Sequence, residues 1–330
     1  MRDFVDLLNH LYCIKVLLRS NITSASTPTA AKVQRNKFNI SALAATSLGC
    51  STNMNESDLN SLIKIISKID LKSETAYNAV YDLFTQGFNM PIIFVPLKKG
   101  SICYRSRNNH KKEYFESFSD LSYPDKKFIL KYSRANKPGQ QVFYCSDSYE
   151  TTIAELLPYW SKDLKIGDTF AITISQWIFM KEVYVACIPD FENIRLMTLL
   201  ERKIDFKNDS VLMKYWEFIN SFFRAQGLDQ PNIYKFASAF CNALLNNSQV
   251  MGEDVNGIMY TSIQDVTVQG WNLAIAPKFA DENLKLKNVS KFILQKGVSK
   301  NGKPSYNNFS NPEPVFAKQL DFKSGKIIWP

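Results

Sequence analysis

Histidine is nearly missing from this chain: His10 and His110 are the only two in 330 residues. A Ser-His-Asp or Cys-His nucleophile needs a well-placed imidazole. His10 falls on a helical face and His110 in the polar stretch NNHKKE, so neither suits that task. Six cysteines stand at 13, 50, 103, 145, 187 and 241, and none forms a C-x-x-C pair. A zinc site needs about four ligands with local spacing, which is not found here. The cysteines read as reduced, mostly buried small apolar residues. Glycine is scarce as well, at 12 residues, and no G-x-G-x-x-G, G-x-x-x-x-G-K-[ST] or G-x-S-x-G motif occurs. Rossmann, P-loop and nucleophile-elbow chemistry therefore lack their signatures. No apolar run approaches the ~18 residues of a membrane span. The opening MRDFVDLLNHLYCIKVLLRS is broken by Asp3, Asp6, Asn9, His10 and Lys15, and reads as an amphipathic helix rather than a signal peptide. These absences together favour a cytoplasmic protein with no membrane association.

Apolar residues are plentiful, at 45% of the chain, enough for a substantial core. The net charge is +9. Nine lysines follow residue 284, from Lys285 to Lys326, against only Glu313 and Asp321. A basic surface attracts nucleic acid, acidic partners or phosphate-bearing ligands. The lysines are dispersed, however, and no Arg-rich stripe or RNP-type aromatic motif accompanies them, so nucleic acid is disfavoured.

Helical periodicity marks residues 2–17, then NESDLNSLIKIISKI and SETAYNAVYDLFTQGF. Ser57 or Asn55 is placed to cap the second of these. Between them, residues 20–55 are rich in Ser, Thr, Asn and Ala and read as a polar linker. Residues 1–95 thus form a helical N-terminal region. The texture changes at PIIFVPL. Short β-rich runs follow: ICYRSR, QVFYCS, TFAITISQWIF, EVYVACI, GIMYTS, WNLAIAP, KFILQKG and PVFAKQLDF. A helical insertion spans about 191–247, with Tyr215, Trp216, Phe218, Phe222 and Phe223 at core spacing. Strands on both sides of a helical block, without βαβ alternation, predict an α+β fold rather than a doubly wound sheet. A second domain is expected over 96–330, with a basic, β-rich tail.

Residues 102–160 carry the chemistry. Tyr104-Arg105 sits on an expected strand, with Arg107 close behind. Ser133-Arg134-Ala135-Asn136 leads into a turn, and QVFYCS is a strand bearing Tyr144. Asp147, with Glu150 three residues on, is the expected N-cap of a helix whose second turn holds Glu155 between Ala154 and Leu156. Farther on come Gly257-Ile258-Met259-Tyr260-Thr261-Ser262 and Asn272-Leu273-Ala274. In this order the pieces resemble the RES domain family, named for its Arg, Glu and Ser, over roughly residues 100–280. Thr261 stands where the family has Pro, and Ser133 where it has Gly.

The resemblance implies a fold like the ADP-ribosyltransferase toxins: a split, mixed β-sheet whose cleft binds NAD. It implies cleavage of the nicotinamide–ribose bond by phosphorolysis or hydrolysis, in a bacterial toxin or defence effector, with NAD as substrate and inorganic phosphate as co-substrate. No further cofactor and no metal are expected. Arg105, Tyr144, Glu155 and Ser262 are the implied catalytic residues, and Arg105, Arg134, Tyr144 and Asn272 the NAD-binding ones. Arg107 remains open as the functional arginine in place of Arg105. Transfer of ADP-ribose to a protein or nucleic acid is the second reading, and a non-catalytic binding protein a distant third. Family habit adds an antitoxin that plugs the cleft. Residues 1–95 read as a regulatory or sensor domain, a dimerisation element giving a homo-oligomer, or simply helices packed on the catalytic domain.

Overall fold

The computed structural model describes residues 54–330, apart from 88–90, 110–111, 161–162, 201–203, 205, 207, 226–230, 251–252, 265–268, 299–303 and 309–313. The expected helix over 2–17, nearly all of the polar segment 20–55 and both histidines lie outside the described residues.

Two helices come first, α1 (Glu56–Ile66) and α2 (Ala76–Asp82), the latter running into a π turn over Leu83–Gly87. Of the two cap candidates, Asn55 does the work: its side chain accepts from Asp58 N–H at 2.9 Å. That bond serves one of the backbone donors every helix start leaves unpaired. Leu59, Leu62 and Ile66 make the buried stripe of α1, as the 3.6-residue period requires.

The chain then alternates as β1 (Ile93–Leu97), β2 (Ile102–Asn108), a short α3 (Phe118–Leu121), β3 (Phe143–Ser146), α4 (Tyr149–Trp160), β4 (Thr169–Phe179) and β5 (Val183–Cys187). The helical insertion follows as α5 (Ile194–Leu200), α6 (Ser210–Arg224) and α7 (Ile233–Asn247). A small hairpin, β6 (Gln249–Val250) and β7 (Glu253–Asp254), leads to β8 (Gly257–Thr261) and β9 (Trp271–Ile275). Last come α8 (Pro277–Asn283), the long β10 (Leu284–Val298), β11 (Pro304–Asn308), β12 (Val315–Phe316) and a closing hairpin, β13 (Gln319–Asp321) with β14 (Lys326–Ile328). Among the described residues no helix is long and apolar enough to cross a membrane.

Ten strands form one mixed sheet in the order β1-β5-β8-β9-β3-β2-β4-β10-β11, with β12 added on β10. Only β5 and β8 run parallel among the paired strands. Parallel neighbours need a long crossover, and the helical insertion supplies it. The fold is therefore α+β, as the strand and helix pattern predicts.

The sheet is split near its middle. β2 runs beside β4 from Ile102 to Asn108, and β3 beside β9 from Phe143 to Ser146. Between β2 and β3 a single pair, Tyr104 with Ser146, joins the halves.

Apolar packing ties α1, α2, α6 and α7 into the same core as the sheet. Phe84 stands edge-on to Phe236 at 5.7 Å and to Phe240 at 4.9 Å, and Phe222 stacks on Phe236. The stripe Tyr215, Trp216, Phe218, Phe222 and Phe223 is buried. Each such side chain contributes roughly 1.5–3 kcal/mol through burial. Cys103, Cys145, Cys187 and Cys241 are free, buried thiols within this core.

Candidate active site

A split sheet leaves strand edges without partners, and a buried unpaired amide or carbonyl is costly. Side chains fill the gap here. The Tyr144 carbonyl, on the β3 edge, accepts from Arg105 Nη1 at 2.7 Å. The Ser106 N–H, on the β2 edge, donates to Thr152 Oγ1 of α4 at 3.1 Å, and Ser106 Oγ donates to the Thr152 carbonyl. The helix α4 thus wedges into the split and delivers Glu155 there.

The start of α4 is held by Ser148, whose Oγ accepts from Thr151 N–H at 3.1 Å. This corrects the expectation that Asp147 is the cap. The Asp147 carboxylate instead accepts from Trp271 N–H and from Arg195 Nη1. Gly270 lets β9 come this close, because a Cβ there would sit 2.0 Å from Thr151 Oγ1.

The split opens into a cavity of about 1040 Å³. That is the upper end of the size usual for small-molecule sites, ~300–1,000 Å³. Arg105, Arg134, Tyr144, Glu155 and Asn272 all line it, although 167 positions separate the first from the last. Glu155 is the one carboxylate among the described lining residues, and no histidine is among them.

Arg105 spends one further N–H on the Ser122 carbonyl at 3.3 Å. Three of the five guanidinium N–H groups then remain, and no carboxylate pairs with them among the described residues. Burial, aided by Arg107, pulls its pKa down to about 10, which still leaves it a cation near neutrality. Arg107 differs: it donates to the Asp120 carbonyl, lies over the Phe115 ring and does not line the cavity. The geometry favours Arg105 of the two.

Arg134 is buried, lines the cavity and is also tied to the protein around it. Its Nε donates to the Phe223 carbonyl at 3.1 Å, satisfying the C-terminal end of α6. Its Nη1 stands 3.9 Å from Glu155 Oε2, and its plane lies near the Tyr234 and Tyr260 rings. Burial lowers its pKa, but Glu155 and the two tyrosines outweigh that and raise it overall. Tyr144 fixes the turn that carries Arg134: its hydroxyl accepts from Ala135 N–H at 2.9 Å and donates to Asn136 Oδ1 at 2.8 Å. Burial pushes that phenol's pKa well up.

Besides its ion pair with Arg134, Glu155 accepts a hydrogen bond. Ser262 Oγ, itself buried, donates to Glu155 Oε1 at 2.6 Å. Ser262 is not on the cavity wall, so it meets the site through Glu155. Asn272 is buried on the wall, with Oδ1 accepting from Ser146 Oγ at 2.7 Å.

Several lining residues escaped the sequence reading. Tyr260 was within reach of it, because two residues before Ser262 on one strand means the same sheet face. Tyr234, Asn232 and Pro231 come from the helical insertion and carry no local signal. The six expected residues meet as five wall positions and one supporting hydroxyl. Among the described residues no cluster of three His, Cys, Asp or Glu is placed to hold a metal ion.

No curated protein matches the chain. The RES domain family model matches residues 102–292, more than half of the sequence and the whole stretch that builds this cavity wall. The chain belongs to the RES domain family.

Proposed function

We propose that this protein cleaves the nicotinamide–ribose bond of NAD, passing ADP-ribose to inorganic phosphate or water, and acts as a toxin or defence effector. The observation that carries this reading is Glu155, the one wall carboxylate among the described residues, held by Ser262 and Arg134 in a cavity that Arg105, with no acidic partner among the described residues, also lines. Family membership supports NAD-related chemistry.

Nicotinamide in NAD is a cationic leaving group. When the C1–N bond breaks, its electron pair neutralises the pyridinium, and no strong general acid is needed. Positive charge then develops on the ribose, as in glycoside cleavage. Glu155 lies on the wall to stabilise that charge, and one preorganised group of this kind supplies about 3–4 kcal/mol. Arg105, with three N–H donors unbonded among the described residues, suits the pyrophosphate, because guanidinium forks match phosphate oxygens. An oxygen of phosphate, or of water with loss of a proton to solvent, then bonds to C1.

Purified protein incubated with NAD, with and without phosphate, tests this by chromatography of free nicotinamide. Release that phosphate accelerates, yielding a phosphorylated ADP-ribose, supports phosphorolysis; release indifferent to phosphate supports hydrolysis. No release overturns the proposal. A second reading, transfer of ADP-ribose to a macromolecule, is favoured by Phe128 and Leu130, which are 69% and 77% exposed at the cavity rim and offer an apolar docking ledge. Label from NAD appearing on a protein or nucleic acid identifies it.

A further inference from the structure

One rung of the sheet crosses the split. Tyr104 pairs with Ser146, Ser146 with Asn272, and Asn272 with Tyr260. Directly paired residues face the same side, so these side chains share the face on which Ser262 and Glu155 meet. Asn272 is only 4% exposed, lines the cavity, and its buried Nδ2 has no hydrogen-bond partner among the described residues. Buried amide donors are almost always paired, and one left alone keeps its full desolvation cost. Ser146, 3% exposed, donates to Asn272 Oδ1 at 2.7 Å. That bond engages the carbonyl end of the amide and leaves the NH2 end of this wall residue unpaired among the described residues.

We infer that Ser146 is a positioning residue that sets Asn272 to read a neutral oxygen acceptor on the substrate, beside the bond that breaks. The acceptor is neutral because an anion there would face Glu155, whose partner Ser262 follows Tyr260 by two positions on the same strand direction. Two oxygens of NAD next to the breaking bond fit this chemistry: the carboxamide oxygen of nicotinamide and the 2-hydroxyl of the adjoining ribose. The inference rests on the NAD-cleavage reading and adds to it a residue, Ser146, together with the polarity of the contact.

Kinetics of nicotinamide release test it. Asn272→Ala lowers kcat/KM about tenfold, the scale of one hydrogen bond, and Asn272→Asp lowers it further because an acceptor replaces the donor. Ser146→Ala also lowers kcat/KM, and Ser146→Thr, which keeps the hydroxyl, restores it. Two substrate analogues locate the acceptor. If the carboxamide oxygen is read, the Asn272→Ala penalty vanishes with the thionicotinamide dinucleotide. If the hydroxyl is read, it vanishes with the 2-deoxyribose analogue on the nicotinamide side. A penalty equal on NAD and both analogues overturns the inference, as does a Ser146→Ala variant with wild-type kcat/KM. Wild-type protein that releases no nicotinamide defeats the underlying reading, which separates that failure from this one.

Discussion

The Ser262 hydroxyl donates to Glu155 across 2.6 Å, joining the end of β8 to the second turn of α4. Ser262 is absent from the cavity wall, so its influence on the reaction passes through the carboxylate. Ser262→Ala is expected to lower kcat about tenfold with little change in KM, as for loss of one charge-assisted bond. Glu155→Gln loses about 10²–10³-fold. In the double variant the serine deletion adds little further, because both act as one unit. A Ser262→Ala enzyme with unchanged kcat and raised KM would instead show direct substrate contact.

Arg134 connects α6 to Glu155. Arg134→Ala leaves the Phe223 carbonyl without its donor and the Glu155 carboxylate without its counter-charge. Breaking such a buried arrangement from one side costs about 3 kcal/mol. Arg134→Lys recovers little, since an ammonium cannot lie flat beside Tyr234 and Tyr260. Urea unfolding of both variants checks this; a lysine variant as stable as wild type contradicts it.

Arg105 both staples the split and offers donors to an anion. Arg105→Ala is expected to raise KM for NAD and to cost about 1–3 kcal/mol of stability, because the Tyr144 carbonyl loses its donor. Arg107→Ala keeps turnover near wild type, as its guanidinium is engaged elsewhere. Equal losses of turnover in the two variants would remove the assignment of Arg105 over Arg107.

The contact of Gly270 with α4 is tight enough to decide where Glu155 stands. Gly270→Ala puts a methyl against Thr151 and is expected to cost about 1–3 kcal/mol by overpacking, with slower turnover. Adding Thr151→Ala removes the atoms it strikes and recovers part of both losses. Thermal melts and NAD turnover of the single and double variants measure this; no recovery would locate the strain elsewhere.

Alkaline pH is expected to destabilise the fold. Burial raises the pKa of Tyr77 to about 12 and, with a hydrogen bond to Glu150, that of Tyr149 to about 12. Unfolded tyrosines ionise near pH ~10. Between about pH 10 and 12 the native state therefore binds more protons than the unfolded chain, so stability falls as pH rises through this range. Below it the contribution is complete. Melting temperature against pH, with absorbance at the phenolate band, follows the effect; phenols that titrate freely before unfolding would refute it.

Elements with strong periodicity were legible before any coordinates. TFAITISQWIF matches β4 from end to end, and two of the three helices expected before PIIFVPL appear as α1 and α2, the first of the three lying outside the described residues. The cap of α4 was not legible, because Asp147 and Ser148 are both good capping residues. The choice turned on β9 and Arg195, which claim the Asp147 carboxylate.

The amino-acid order by itself determined which chemistry was open to this protein. With almost no histidine, it left Arg, Glu, Tyr and Ser, and their motifs named the family. Tertiary structure alone decided what each group faces. Arg105 and Arg134 look alike in sequence, yet among the described residues Arg105 has no acidic partner while Arg134 is ion-paired with Glu155 and bound to the Phe223 carbonyl. Ser262, a candidate for substrate contact, stands behind Glu155. The reason is physical: local sequence sets period and strand face, but a side chain's partner depends on which distant backbone groups the split sheet leaves unsatisfied.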